Sequence, residues 1–408
     1  MKALEGIRII DLSMGWAGPL TCRHLADMGA DVIKIEGCER FDWWRSWEAT
    51  PEWIADDGAE KSSAFNTMNR NKRNLTLDLE HPEGKALLLQ LIATANAVVE
   101  NYSGGVLPKL GLGYDVICEV NPHIILVSMP AFGSTGPWAS FRAYGSTVEQ
   151  SSGLPHLNGD QTMPPAMQHV AFGDPVGGLN GAAALLTALR HQAKTGEGQY
   201  VDLSQVEALF PLGIHGILHT SVTGVGPERQ GNKHPDATPH NVYPCQGEDE
   251  WLLIQIFNEE QWQSLCRLVG SDLEKFGDLA HRTTEEAALD AVISNWTSTQ
   301  VAEILMLTLQ QAGIPAAACL GSQQLLENPH FQDREFWQWR KRAVVGDQPN
   351  PSAPYTINGE RVVISAPAPT LGQHNNEVLK DLLGLDNDRL AELEAEGIIG
   401  TRPRMPSG

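Results

Sequence analysis

The first third of the chain alternates apolar runs with amphipathic stretches. Ile7–Leu12 reads as a buried strand, Pro19–Met28 carries helical spacing, and Asp31–Ile35 reads as a second strand. A helix over 83–95 and strands at Ala97–Val99 and Ile124–Val127 continue the pattern. Such alternation predicts a parallel sheet with right-handed crossovers. Open sheets of this kind take ligands at the carboxyl ends of their strands, where the first turn puts Gly15 and Trp16.

Beyond residue 200 the rhythm changes. Residues 204–222 read as one long, mostly apolar helix, and the polar stretch 224–241 reads as a loop. Tyr243–Gln246 and Trp251–Phe257 flank a GEDE turn like the arms of a hairpin. Helices near 259–269, 285–297 and 299–312 follow, then a strand-like Ala316–Cys319, a turn at Asn328-Pro329, further strands and a last helix over 387–396. The pattern predicts an α/β protein in which a smaller α+β domain, 225–327, interrupts a larger one built from 1–203 and 328–408, with 204–224 as a linker helix.

The 408 residues carry a formal charge of −21, which argues against nucleic acid or an anionic membrane as partner. An anionic substrate would need a local basic patch. The NRNKRN run supplies Arg70, Lys72 and Arg73 just before the strand-like LTLDL. No run is long and apolar enough to span a bilayer, and MKALEGIRIIDLS has none of the apolar stretch of a signal peptide, so a cytoplasmic location is expected. The six cysteines are scattered without CxxC spacing or adjacent histidines, so no metal site and no disulfide framework is expected.

Candidate chemistry centres on residues 171–199. Asp174 suits an N-cap, Pro175 the first helical position, and Leu179, Ala183, Leu186 and Leu189 keep helical spacing to a close at Gly196. Capping alone accounts for most such Asp-Pro pairs. Gly177 and Gly178 are left over, because glycine in a helix costs about 1 kcal/mol relative to alanine. They would let a ligand approach the backbone, and free N–H groups at the helix mouth would keep a carboxylate ionised. That combination suits a nucleophilic carboxylate attacking a carbonyl. A dinucleotide site is poorly supported. SMGWAGP lacks the GxGxxG fingerprint, although Glu36 could mimic its ribose-binding acid. Trp43, Trp44, Trp47 and Trp53 read as a packed loop or subunit contact, or alternatively as a wall of an acyl pocket.

LEGIRIIDLS, the AGP of Ala17–Pro19, GADVIKIE, NRNKRNLTLDL, VVENYSGGVLPKLGLGYD, MPAFGSTGP, GDPVGG, TGEGQYVDLSQVEAL and APAPTLGQHN occur in that order. Together they resemble the class III CoA-transferase family, which also holds α-methylacyl-CoA racemases. The resemblance implies a Rossmann-like large domain, a small domain, and two chains interlocked as a homodimer. It implies an acyl-CoA and a carboxylic acid as substrates, coenzyme A as substrate rather than a permanently bound cofactor, and Asp174 as the nucleophile. It further implies CoA-side contacts from Asn71, Lys72, Arg73, Asn101, Tyr102 and Lys109. Arg142 and Tyr144 are implied near the CoA or acyl group, and Gly231 and Asn232 in a mobile shielding loop. Trp16 and Cys38 stand where formyl-CoA transferase carries a glutamine and an arginine, which argues against oxalate as acceptor. Succinyl-CoA is a reasonable donor.

Racemases of the family use a histidine where this chain has Tyr144 and a glutamate where it has Pro244. A tyrosine, titrating near ~10, is a poor base at neutral pH, and proline cannot titrate. His156, His169, His234 and His240 lie near in sequence but not in the matching slot. Transfer is therefore the leading expectation. Racemisation, CoA binding without chemistry and a nicotinamide oxidoreductase stand as alternatives.

Overall fold

The computed structural model describes residues 2–169 and 171–405. The chain forms two compact units. The first comprises Met1–Leu154, Met167–His215 and His330–Gly408, and the second Pro155–Ala166 and Gly216–Pro329.

Six parallel strands organise the first unit: β1 (Arg8–Asp11), β2 (Asp31–Glu36), β3 (Arg73–Thr76), β4 (Ala97–Glu100), β5 (Ile125–Ser128) and β6 (Gln199–Asp202). They lie in the order β3-β2-β1-β4-β5-β6. Side chains alternate between two apolar layers. Ile10, Ile33, Leu75, Val98 and Leu126 pack with Leu87 and Leu91 of the helix Pro82–Ile92 and with Val378 and Leu390 near the C-terminus. Ile9, Val32, Val99 and Ile125 pack with Leu25 of the helix Ala17–Asp27 and Leu185 of the helix Gly173–Thr195. Burial on both faces is why these strands read as continuous apolar runs. Leu185 is fully buried, and its truncation to alanine would cost about 2–5 kcal/mol.

Several elements depart from the sequence pattern. β3 begins at Arg73, inside the basic run, because Asp31 on the neighbouring strand holds that guanidinium at 2.7 Å. β6 alternates between half-buried and exposed positions and holds apolar residues only at Tyr200 and Val201, so it lacks an apolar signature. The helix Asn375–Leu383 also appears where none was expected. Residues 204–222 do not form one helix. A 3-10 segment, Glu207–Gly213, contains Pro211 and precedes the helix Ile214–Thr223, since proline cannot donate the hydrogen bond an α-helix requires there.

The Gly173–Thr195 helix ends as expected at Gly196, with φ +76° and its N–H on the Gln192 carbonyl at 2.8 Å. Its start differs. Phe172 is the N-cap and bonds nothing through its side chain, while Asp174 lies in the first turn. Gly178 and Gly181 serve packing. A Cβ at Gly178 would stand 2.8 Å from the Ala17 carbonyl oxygen, and one at Gly181 2.5 Å from Thr21 Oγ1. At Gly177 it would meet Gln205 at 3.1 Å. Removing those side chains lets the helix approach Ala17–Asp27, where Thr21 donates to the Gly178 carbonyl at 2.9 Å.

Distant parts of the chain are joined by buried charge. Arg45 donates to both Glu36 oxygens at 2.9 and 3.0 Å and to Glu60 at 3.1 Å. Glu60 also accepts from Arg342 at 2.6 Å and from the Leu371 N–H at 3.0 Å. Glu36 is thereby committed to Arg45 and to Asn74.

In the second unit β7 (His240–Pro244), β8 (Trp251–Gln255) and β9 (Ala316–Ala318) form an antiparallel sheet in that order. Tyr243 pairs with Leu252 in the hairpin, whose first arm begins three residues earlier than expected. Leu252 and Ile254 pack with Trp262, Ile293 and Leu309 from the helices Glu259–Val269, Glu286–Thr297 and Ala302–Gln311. No described helix is long and apolar enough to cross a membrane.

Candidate functional site

Asp174 turns its carboxylate away from its own helix. Oδ1 accepts the Ala17 N–H at 3.4 Å, and the Gly145 amide lies against the same carboxylate and favours its charge. Ala17 opens the helix Ala17–Asp27, and Gly145 opens the helix Gly145–Ser151. Two amides, each the first of a helix, thus meet one side chain, and both favour its charged form. Burial opposes them and prevails, pushing the carboxyl up to about 6. The sequence reading of a capping aspartate is corrected, while the carboxyl, although raised, stays mainly ionised at neutral pH.

A cavity of about 240 Å³ lies over this carboxylate. Asn101, Tyr102, Trp43, Phe141, Tyr144 and Val148 contribute to its wall. Asn101 fixes the loop after β1, its side chain accepting from the Met14 N–H and donating to the Met14 carbonyl, both at 2.8 Å. From the other side Asp42 accepts the Gly15 and Trp44 N–H groups at 2.9 Å each. Buried Lys34 pairs with Asp42 at 2.9 Å and donates to the Ser13 carbonyl at 2.6 Å. The loop that carries the Ala17 amide is therefore clamped at three successive residues.

The residues singled out from sequence separate into groups. Asp174, Asn101, Tyr102 and Tyr144 come together around the cavity. Trp16 is the N-cap of the Ala17–Asp27 helix, with its ring 5.2 Å from Trp44 and 5.8 Å from His169. Its buried indole N–H has no hydrogen-bond partner among the described residues. Lys109 and Arg142 are exposed and make no ion pair among the described residues.

The basic run, by contrast, faces inward. Lys72 is buried, its ammonium donating to Asp11 and Asn69 at 2.8 Å and to the Pro19 carbonyl at 2.9 Å. All three of its protons are used. Asn71, at φ +61°, holds Asp27 and the backbone of Ser365 and Ala366. Arg73 pairs with Asp31 and Glu377, and Arg70 with Asp27. Gly231 and Asn232 belong to the second unit, where the Gly231 N–H donates to Gly159 at 2.8 Å and Asn232 donates to Asn241 at 3.0 Å.

Sequence reasoning overlooked Ala17, Gly145, Phe141 and Val148 as neighbours of Asp174 or its cavity. Of the tryptophans, Trp43 lines the cavity and stacks on exposed Trp47 at 4.5 Å. Of the four tryptophans singled out, Trp43 is the one among the described lining residues.

Residues 4–375 match the profile of CoA-transferase family III. The chain belongs to that family. It is 30% identical over 402 residues, 98% of either chain, to a protein of Chloroflexus aurantiacus named succinyl-CoA–D-citramalate CoA-transferase. It is 31% identical to the succinate–glutarate CoA-transferase of Agrobacterium fabrum, covering 93% of this chain and 95% of that one. Among solved structures, a CAIB/BAIF family protein from Brucella suis aligns with a TM-score of 0.82 at 28% identity, over 93% of this chain and 98% of that one. Membership of family III, with relatives named as transferases, supports CoA transfer in general terms.

Proposed function

We propose that this protein is a cytoplasmic CoA-transferase that moves CoA from an acyl-CoA to a carboxylic acid through covalent intermediates on Asp174. The observation that carries this reading is a carboxylate lining a cavity beside the Ala17 and Gly145 amides, with no cation paired to it among the described residues. An Asp174 oxygen attacks the donor thioester carbonyl, and the C–S bond breaks to give a mixed anhydride and CoA thiolate. Thiolate then attacks the aspartyl carbonyl, expelling the donor acid as its carboxylate and leaving an aspartyl-CoA thioester. The acceptor carboxylate reverses the two steps. An anhydride and a thioester are close enough in energy for each step to run both ways, whereas a serine ester would be too stable to return its acyl group to a thiol. The Ala17 and Gly145 amides are placed to follow charge on the aspartyl oxygens.

Within this reading Asn101, Tyr102 and Tyr144 line the path of the thioester, and exposed Lys109 and Arg142 meet the phosphates. Gly231 and Asn232 belong to a loop that shields the intermediates. Lys72, Arg73 and Asn71 act from beneath, as supports. The large domain is Rossmann-like, a reading supported by the strand order β3-β2-β1-β4-β5-β6, and the working form is an interlocked homodimer.

The test is chemical trapping. Incubation with an active acyl-CoA donor followed by hydroxylamine should inactivate the enzyme and convert Asp174 to its hydroxamate, located by peptide mass spectrometry. A label on another residue, or none with a donor that turns over, overturns the mechanism.

A further inference from the structure

We infer that the acids this enzyme activates are monocarboxylic, with an uncharged aromatic or aliphatic tail, and not dicarboxylates of the kind named in its relatives. The inference rests on the reading of Asp174 as the transferring nucleophile and adds the substrate class.

Three observations carry it. First, Asp174 is the only formally charged residue among the described residues that line the cavity. A dicarboxylate bound with one end at Asp174 would find no lysine, arginine or histidine among the described lining residues for its second carboxylate, only the neutral polar groups of Asn101, Tyr102, Ser103 and Gln205. An ionised group moved from water to such a place without a partner is heavily penalised. Second, four aromatic residues, Trp43, Tyr102, Phe141 and Tyr144, line the cavity, and Trp47 and Trp138 brace two of them from outside the lining. Trp43 meets the Tyr144 ring edge-on at 6.0 Å, Trp47 meets it at 5.6 Å, and Phe141 stacks on Trp138 at 6.1 Å. Of the lining rings Phe141 and Tyr144 are exposed, so flat apolar surface is available to a substrate ring or alkyl chain. Third, burial raises the Asp174 carboxyl with only two amides opposing it, as expected where no cation stands close. A cavity of about 240 Å³ has the space of about eight waters, enough for a short chain or one ring beside the thioester.

Arg142 is the competing feature, because it lies between the lining residues Phe141 and Ala143 while its own side chain is not among them.

The experiment compares phenylacetyl-CoA, hexanoyl-CoA, succinyl-CoA and glutaryl-CoA. In wild type, kcat/KM is measured for each with a common acceptor. Binding to the Asp174→Ala variant is measured by calorimetry, which needs no turnover. The apolar esters should bind and react at least about tenfold better than the diacid esters. Phe141→Arg, which puts a cation on an exposed position of the wall, should narrow or invert that ratio. Tighter binding of the diacid esters, or their selective loss in Arg142→Ala, overturns the substrate class. If no ester leaves an aspartyl adduct, the transfer reading falls, and the calorimetric ranking still decides the chemistry of the pocket.

Discussion

A methyl group on Gly145 would fall 1.8 Å from Oδ2 of Asp174 and 2.9 Å from the Ala171 backbone. The Asp174 carboxylate thus occupies the space that any other residue at 145 would fill. Gly145→Ala should displace the carboxylate while leaving both core layers untouched. Displacement by about 1 Å of a reacting group costs about 100-fold. Steady-state kinetics should show a kcat lowered by that order, with a melting temperature near that of wild type. Unchanged kcat would remove Gly145 from the site.

Asp174→Ala should abolish transfer. The aspartate is not a cap bonded to its own helix, so the usual penalty of about 1 kcal/mol for losing a cap does not apply. Folding and CoA binding should persist, as read by circular dichroism and calorimetry. Turnover comparable to wild type would exclude the nucleophile.

The raised Asp174 carboxyl sets an acid limb. Attack requires the ionised form, so kcat/KM should fall tenfold per pH unit below about 6. An aspartate at its ordinary value would place that limb about two units lower. The linked stability runs in the opposite sense. Between the ordinary value of 3.8 and about 6, the folded state keeps a proton that the unfolded state gives up, so this group's contribution declines as pH rises. Relative to Asp174→Ala, wild type should lose on the order of 1–3 kcal/mol between pH 4 and pH 7. Paired thermal melts across that range measure it, and a constant gap would contradict the raised carboxyl.

Lys72 separates support from contact. With all three donors satisfied inside the fold, its replacement by methionine should leave Asp11 buried and unpaired and cost about 3–5 kcal/mol. The melting temperature should drop, whereas KM for the acyl-CoA in surviving folded enzyme should move less than about threefold. A large rise in KM at unchanged stability would make Lys72 a ligand contact after all.

In heavy water a chiral 2-methylacyl-CoA should show little α-deuterium uptake and little inversion. Racemisation needs a base on each side of the α-carbon, and the two positions that supply them in racemases carry Tyr144 and Pro244 here. Fast exchange accompanied by inversion, followed by mass spectrometry and chiral separation, would move the protein to the racemase branch.

What the sequence disclosed depended on which physical constraint acted on each residue. β1, β2, β4 and β5 were legible because both faces are buried. β3 and β6 are the two edges of the sheet, where charge and half exposure erase the apolar run. Asp174 stood out by its local pattern, but its partners did not, since Ala17 and Gly145 act through backbone N–H groups that no side-chain pattern records. Gly178 was flagged by the cost of a helical glycine, but its partner, the Ala17–Asp27 helix, lies far away in sequence. Likewise NRNKRN looked like an open basic patch because the aspartates that neutralise it, at 11, 27 and 31, lie some forty or more residues away in sequence.

The Glu60 carboxylate has a consequence for the order of events during synthesis. Two of its partners, Arg342 and Leu371, leave the ribosome some 280 and 310 residues after it. Until then the nascent amino-terminal half must carry a carboxylate that the finished fold buries, with Arg45 as its one early guanidinium. The interrupting unit, whose core is drawn from residues 243–316, is complete before either partner emerges. The inserted part can therefore fold first, and the sheet that surrounds it in sequence must wait for the tail. A nascent chain stalled before residue 342 should present a protease-sensitive amino-terminal half beside an already resistant middle.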